Sequence, residues 1–259
     1  MRVDLNFQKF GSDGQRLIII HGLFGSARNW RGIAQKLSKS FVVYTLDLRN
    51  HGESAHVDDM PYSMMADDIV HFMQQQNISS AKVLGHSMGG KVAMQLALNH
   101  PERVDQLIVV DMAPVTYAHN FNDILAALRS IPLDTVSSRN EADEILKKKI
   151  DVLSLRQFLL QNLESANAGG YQWRVNLDSI ENNMSNIMGF PESDKNGTFS
   201  KPTLFIGGGN SIYLADRHLE AALALFPSAQ VDIIKGVGHW PQVEAPKAFS
   251  ASLQPFLNQ

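Results

Sequence analysis

The sequence predicts an α/β fold, a mostly parallel central β-sheet flanked by helices. Short apolar runs lack polar alternation, which is typical of strands covered on both faces. Amphipathic stretches with helical spacing separate these runs, and strands that alternate with helices form parallel sheets with right-handed crossovers. The composition agrees, because 44% of the 259 residues are hydrophobic and 19% are charged, ordinary values for a globular protein.

The predicted elements follow one another in a regular order. Six runs rich in Val, Ile, Leu or Phe are predicted as strands, at residues 16–20, 41–46, 81–84, 106–110, 202–206 and 230–234. Five amphipathic stretches are predicted as helices, at residues 30–38, 64–76, 88–99, 213–226 and 245–257. The sequence has no internal repeat and no low-complexity tract, so we expect one sheet rather than a repeat array.

Residues 114–200 break this order, because they contain no strand-like run. Helical segments are predicted there instead, at residues 120–129, 141–150, 155–163 and 177–184. A loop is predicted after them, at residues 191–197. A long helical insertion between two strands is expected over the carboxyl edge of the sheet, where ligands of open α/β folds bind. We therefore predict a core of residues 1–113 and 201–259 and a helical cap, or lid, of residues 114–200.

Charge and cysteine content narrow the expected partners. The 23 Lys and Arg against 26 Asp and Glu give a formal net charge of −3 without a basic block, so nucleic acid is not expected to bind. A chain without cysteine has no thiolate nucleophile, thiolate metal site or disulfide. The first residues lack a secretory apolar stretch, and the run at 17–20 is far shorter than the ~20 residues that span a bilayer. We expect a cytoplasmic monomer or homodimer without a membrane partner.

The strongest motif is Gly85-His86-Ser87-Met88-Gly89, a G-x-S-x-G pattern between a predicted strand and a predicted helix. A nucleophile on such a sharp turn has a strained backbone, and glycines at 85 and 89 allow the chain to crowd around it. The turn lifts the Ser87 hydroxyl off the sheet and points the following amide to where an oxyanion develops. The alternative is a phosphate-binding loop, but no lysine lies where such a loop needs one.

His239 is the candidate general base, since a serine hydroxyl needs a base to take its proton. It lies in Gly236-Val237-Gly238-His239-Trp240 after the last predicted strand, and the glycines let this loop bend toward Ser87. His86 is assigned to packing or hydrogen bonding, because its side chain points away from that of Ser87. Six other histidines are assigned structural or solvent-facing positions: His51, His56, His71, His100, His119 and His218.

Asp111 is the candidate acid that orients the imidazole and stabilises its protonated form. The loop after the strand at 202–206 contains no carboxylate, and Asp216 is the nearest one to follow. Asp111 ends the strand at 106–110, the next strand in sequence after the one that precedes Ser87. Parallel strands end at the same edge of a sheet, so Asp111 is predicted to face the site, with Asp216 as the alternative.

The second oxyanion donor is expected from the turn His21-Gly22-Leu23-Phe24-Gly25, after an early strand. The amide of Leu23 is predicted to join that of Met88, with the amide of Phe24 as the alternative. His21 is expected to brace this turn through hydrogen bonds.

Three apolar residues near these atoms, Phe24, Met112 and Trp240, are predicted to contact the substrate in an acyl pocket. In the polar loop at 47–54, Asp47 and Arg49 are expected to pair with each other and hold the loop beside the site. No set of His, Asp and Glu has metal-ligand spacing, so neither a metal nor another cofactor is predicted.

The segments at residues 21–25, 47–54, 85–90 and 238–240 together resemble those of the α/β-hydrolases. More closely, segments 21–26, 46–54, 85–94, 110–114 and 208–211 resemble the small bacterial YbfF-type esterases. That resemblance implies hydrolysis of short- to medium-chain carboxylic esters, with acyl-CoA thioesters as a further substrate class. It also implies a Ser–Asp–His triad of Ser87, Asp111 and His239. The sequence departs from the broad family in having no acid after the penultimate strand.

The expected mechanism is that of a serine esterase, with an acyl-enzyme on Ser87 that water then hydrolyses. Two other reactions use the same site: a cofactor-free haloperoxidase or perhydrolase reaction, and carbon–carbon bond hydrolysis. A ligand-binding protein without turnover is the remaining alternative. Covalent labelling of Ser87 by an organophosphonate distinguishes the last case, because that reagent needs an activated serine.

Overall fold

The computed structural model describes residues 1–167, 169–191 and 197–259. Its strands are β1 (Phe7–Phe10), β2 (Gln15–Ile20), β3 (Phe41–Leu46), β4 (Ala81–His86), β5 (Val104–Val110), β6 (Leu163–Ser165), β7 (Tyr171–Trp173), β8 (Thr203–Gly208) and β9 (Ala229–Ile234). Its helices are α1 (Arg31–Leu37), α2 (Tyr62–Gln75), α3 (Met88–Asn99), α4 (Asn122–Arg129), α5 (Arg139–Leu146), α6 (Leu153–Leu159), α7 (Leu177–Asn182), α8 (Met184–Met188), α9 (Asp216–Leu225), α10 (Pro241–Glu244) and α11 (Pro246–Leu257).

The main sheet has seven strands in the order β1-β3-β2-β4-β5-β8-β9, and every pairing except β1 with β3 is parallel. The predicted α/β class and mostly parallel sheet are therefore confirmed. The strand β1 is not among the predicted strands. This strand is a four-residue edge strand whose residues are half-buried or exposed, so it lacks the continuous apolar run of the buried strands.

The alternation of side chains along each strand explains why the apolar runs are continuous. In β2, Leu17 and Ile19 pack into one hydrophobic cluster, whereas Ile18 and Ile20 pack into another. Successive side chains of a strand point to opposite faces, so a strand with helices on both faces is apolar at every position.

The parallel register brings several strand ends together at one edge. His86 at the end of β4 pairs with Val110 at the end of β5, and Val110 pairs with Ile206 near the end of β8. The loops that follow these strands, together with the loop after β9, therefore emerge side by side at the carboxyl edge of the sheet.

Residues 114–200 are inserted between β5 and β8 and contain α4 to α8. The prediction that this insertion has no strand was wrong, because β6 and β7 pair there as a two-stranded antiparallel sheet. Each is three residues long, too short to form an apolar run. Of the loop predicted at 191–197, residues 192–196 lie outside the described ranges.

Three predicted helices of the insertion differ from the observed ones. The predicted helix at 141–150 ends at Leu146, and the one at 177–184 divides into α7 and α8 at Asn183. The one predicted at 155–163 ends at Leu159, and a short 3₁₀ turn then leads into β6. Across the described ranges, no helix has both the length and the apolar character needed to cross a membrane.

Candidate active site

Ser87 lies on the sharp turn between β4 and α3. Its φ is 54° and its ψ is −122°, which is a strained conformation for a residue with a side chain. A Cβ on Gly85 would lie 2.1 Å from the carbonyl oxygen of Gly89, and a Cβ on Gly89 would lie 2.3 Å from that of His21. Only glycine fits at these two positions, so the sequence motif has a direct steric cause.

The three residues of the predicted triad lie in hydrogen-bond contact. Ser87 Oγ is 2.9 Å from His239 Nε2, and His239 Nδ1 is 2.6 Å from Asp111 Oδ2. Ser87 and Asp111 are buried, while the His239 side chain keeps 19% exposure. The three residues come from loops after β4, β5 and β9, which the parallel register brings to one edge.

The Asp111 carboxylate is held by donors from the last residue of β8 and from the loop that follows it. Its Oδ1 accepts from the Gly208 amide at 2.9 Å, and its Oδ2 accepts from the Ser211 hydroxyl at 2.5 Å. The structure places Asp216, the alternative acid, as an exposed residue at the start of α9. The end of the penultimate strand thus contributes an amide, and the loop after it a hydroxyl, where the sequence shows no carboxylate.

The candidate oxyanion amides lie beside Ser87. A Cβ on Gly22 would lie 3.0 Å from the Ser87 Cβ, so the turn after β2 passes directly against Ser87. The Phe24 amide, the alternative oxyanion donor, already donates a hydrogen bond to His51 Nε2 at 3.3 Å. Within the described ranges, the amides of Leu23 and Met88 donate to no protein acceptor. They therefore have free N–H groups for a substrate oxygen.

A small pocket of about 20 Å³ lies beside Ser87. Leu23, Met88 and Met112 line it, as expected of residues next to the reacting atoms. Two predicted substrate contacts, Phe24 and Trp240, are outside this lining. The ring of Trp240 lies 5.4 Å from that of His239, and the buried ring of Phe24 lies 6.2 Å from that of Phe121.

Polar side chains that were not predicted also line this pocket, those of Tyr62, Lys91, Tyr117 and Tyr213. Lys91, one turn after Ser87 on α3, donates to the carbonyl oxygens of Met188 at 2.9 Å and Gly189 at 2.6 Å. Its Nζ also lies 4.8 Å from the ring centroid of Tyr117. Burial lowers the pKa of Lys91 from its ordinary value to about 7. A lysine at position i+4 from the nucleophile was the only available sequence signal.

The imidazole of His239 is enclosed by two further aromatic side chains. The ring of Tyr213 stacks on it with centroids 4.2 Å apart, and His86 Nε2 lies 2.8 Å from the His239 carbonyl oxygen. Burial lowers the pKa of His86 to about 3, so this ring is neutral and donates to that carbonyl. The Tyr213 hydroxyl lies 2.8 Å from His119 Nε2, which brings a histidine predicted as structural near the site.

The expected pairing of Asp47 with Arg49 was wrong. Asp47 accepts from the Ala27 amide at 2.6 Å and from Asn6, whereas Arg49 forms a buried bidentate pair with Asp68 at 2.7 and 2.8 Å. The chain leaves the extended conformation here and turns, with the His51 amide donating to the Leu48 carbonyl oxygen at 3.1 Å, so positions 47 and 49 do not keep the shared direction of an extended i, i+2 pair. The described residues contain no group of three or more His, Cys, Asp or Glu that could hold a metal ion.

Comparisons with known proteins agree with this architecture. The model of the alpha/beta hydrolase fold family matches residues 15–246. The chain is 41% identical to sn-1-specific diacylglycerol lipase ABHD11 of Danio rerio, over 98% of this chain and 83% of that protein. It is 33% identical to Esterase YbfF of Escherichia coli strain K12, over 93% of this chain and 92% of that one.

Among solved structures, a marine microorganism esterase matches with a TM-score of 0.94 and 42% identity, covering 98% of this chain and 99% of that chain. The sequence motifs, the sheet topology and these matches all indicate the same family. The chain belongs to the alpha/beta hydrolase fold family.

Proposed function

We propose that this carboxylic ester hydrolase acts by acyl transfer to Ser87, with His239 as the base and Asp111 as the acid. The continuous hydrogen-bonded line from Ser87 Oγ through His239 to Asp111, at 2.9 and 2.6 Å, carries the proposal. A carboxylate at Nδ1 keeps the proton on that nitrogen, so the Nε2 lone pair faces the serine hydroxyl.

In the first half-reaction, Ser87 Oγ attacks the ester carbonyl while His239 Nε2 takes its proton. The amides of Leu23 and Met88 donate to the oxyanion that forms. Collapse of the tetrahedral species breaks the bond to the leaving alcohol or thiol, which receives the proton from His239. Water, deprotonated by the same nitrogen, then attacks the acyl-enzyme and releases the acid.

We propose short- to medium-chain acyl esters and acyl-CoA thioesters as substrates, and a cap function for the insertion. The pocket of about 20 Å³ has room for roughly one water molecule, so an acyl group must displace its walls. Phe121, Ile187 and Met188 of the insertion contribute to those walls. Their movement would therefore determine which acyl chains enter. A monomeric or homodimeric state and a cytoplasmic location complete the proposal.

The experiment is hydrolysis of p-nitrophenyl esters from acetate to palmitate, with butyryl-CoA and a diacylglycerol emulsion in parallel. Wild type, Ser87→Ala and the exposed control Ser228→Ala are compared. We expect turnover by wild type and by the control, best on the shorter esters, and loss of about 10³-fold or more in kcat for Ser87→Ala.

Wild-type protein that hydrolyses none of these substrates would contradict the proposal. Retained turnover in Ser87→Ala would show that another residue is the nucleophile. Maximal activity on palmitate or on diacylglycerol would agree with the proposed mechanism but contradict the proposed preference for short- to medium-chain acyl groups.

A further inference from the structure

We propose that Asn162, a residue of the insertion, is a positioning residue of the oxyanion hole. Its side-chain amide donates to the Phe24 carbonyl oxygen at 2.8 Å, across 138 positions of sequence. This inference rests on the proposed function, in which the Leu23 amide receives the oxyanion. It adds that the insertion completes the hole, so that catalysis needs the insertion docked on the core.

The turn that carries Leu23 places its neighbour Phe24 in a backbone conformation that is unfavourable for a residue with a large side chain. The Gly25 amide donates to the Gly22 carbonyl at 2.9 Å, so Leu23 and Phe24 are the two central residues of a four-residue turn. Phe24 has a φ of 59°, at the position where turns with positive φ usually carry glycine. A left-handed conformation is unfavourable for a residue with a Cβ, so this turn needs restraint from outside.

One restraint comes from His51 in the core. Its Nδ1 lies 3.0 Å from the Arg49 carbonyl oxygen and therefore carries the proton, which leaves Nε2 to accept from the Phe24 amide. Burial and the neighbouring His21 lower the pKa of His51 to about 3, so the ring stays neutral. This contact holds the peptide group between Leu23 and Phe24.

The other restraint comes from the insertion. Asn162 is 4% exposed, lies at the end of a short 3₁₀ turn, and also donates to the Leu159 carbonyl oxygen at 3.2 Å. Its contact with the Phe24 carbonyl holds the peptide group on the other side of Phe24. With both groups held, the turn cannot relax to negative φ, and the Leu23 N–H keeps its direction beside Ser87.

The adjacent residue supplies a matched control. Gln161 lies in the same turn of the insertion and also links it to the core, since its Oε1 accepts from Asn29 at 2.6 Å. That bond does not involve the turn at 22–25. A variant of Gln161 thus loses a contact between insertion and core while leaving the Phe24 carbonyl held.

The test compares Asn162→Ala, Asn162→Leu and Gln161→Ala on p-nitrophenyl butyrate. An alkyl boronic acid, which forms a tetrahedral adduct with serine, reports oxyanion binding, and butyrate reports product binding. We expect both Asn162 variants to lose about 10- to 100-fold in kcat and the same factor in boronic acid affinity, with KM and butyrate affinity within about threefold. Gln161→Ala should stay within about threefold of wild type in all four quantities.

Hydrogen exchange followed by mass spectrometry gives a readout independent of turnover. Exchange of the amides at residues 22–25 should accelerate in both Asn162 variants and not in Gln161→Ala. Full activity in Asn162→Leu would assign Asn162 to packing alone and overturn the inference, as would equal effects of Gln161→Ala. The Ser87→Ala comparison decides the proposed function separately, because it does not involve Asn162.

Discussion

The ring of Tyr213 stacks on that of His239 with centroids 4.2 Å apart and an interplanar angle of 36°. The Tyr213 amide also donates to Ser211 Oγ at 3.2 Å, and Ser211 in turn donates to Asp111. One loop after β8 therefore contacts both the proposed base and the proposed acid. This loop contacts the proposed triad at the place where the sequence has no carboxylate.

Removing the Ser211 hydroxyl should weaken catalysis without abolishing it. Ser211→Ala deletes a hydrogen bond to a buried carboxylate, and such bonds contribute about 1.5–3 kcal/mol. Because the bond from Gly208 remains, we expect kcat to fall about tenfold with KM nearly unchanged. Steady-state kinetics on p-nitrophenyl butyrate measures this effect.

Ser228→Ala is the matched control, since the Ser228 hydroxyl donates only to the carbonyl of Ser200 at an exposed position. Equal activities of the two variants and wild type would show that the carboxylate needs no support from Ser211.

The two candidate acids should differ sharply in their effect on turnover. Asp111→Asn removes the charge that stabilises protonated His239 and favours the wrong tautomer, so kcat should fall about 10³- to 10⁴-fold. Asp216 is exposed at the start of α9, and Asp216→Asn should leave kcat within about twofold. The reverse pattern in kcat would identify Asp216 as the acid.

The backbone of Ser87 predicts an unusual effect of glycine on stability. With a φ of 54°, Ser87→Gly relieves strain that Ser87→Ala keeps, and strain of this kind costs about 1–3 kcal/mol. The gain exceeds the ~0.4–1 kcal/mol that glycine costs through the unfolded chain. We expect the unfolding free energy of Ser87→Gly to exceed that of Ser87→Ala by about 1 kcal/mol in urea titrations.

At Ser38, whose φ is −66°, the order should reverse, with the alanine variant more stable than the glycine variant. The same order at both positions would mean that the turn at Ser87 stores no strain.

Lys91 predicts a pH-dependent stability. Burial lowers its pKa from 10.5 to about 7 in the folded protein, so between these values the unfolded chain holds the extra proton. Stability then rises with pH across this window, by at most about 1.4 kcal/mol per pH unit. Lys91→Met has no such group, so its stability relative to wild type should be highest below pH 7 and fall toward pH 10.5.

Urea unfolding of both proteins at pH 6, 8 and 10 measures this difference. A constant difference at all three values would mean that the carbonyl oxygens of Met188 and Gly189 fully compensate the burial of the ammonium group.

Local patterns predicted much of the fold and of the candidate site. The buried parallel strands carry continuous apolar runs because both faces are covered, and β1 was missed because it lies half-exposed at the sheet edge. The elbow around Ser87 could be predicted because its steric requirement falls on glycines within two positions. Asp111 could be predicted from the shared edge of parallel strands.

By itself, the sequence determined the fold class, the turn at Ser87 and the strand ends from which Asp111 and His239 emerge. Each of these is specified by residues that lie within a few positions of one another in the sequence. Only the tertiary structure decided the contacts of Ser211, Lys91 and Asn162. Each of these side chains contacts a residue about a hundred or more positions away. The Ser211 contact lies within the core, and the contacts of Lys91 and Asn162 join the core to the insertion. Hydrophobic periodicity specifies which face of an element is buried, but it carries no information about which distant carbonyl or carboxylate a polar side chain will meet there.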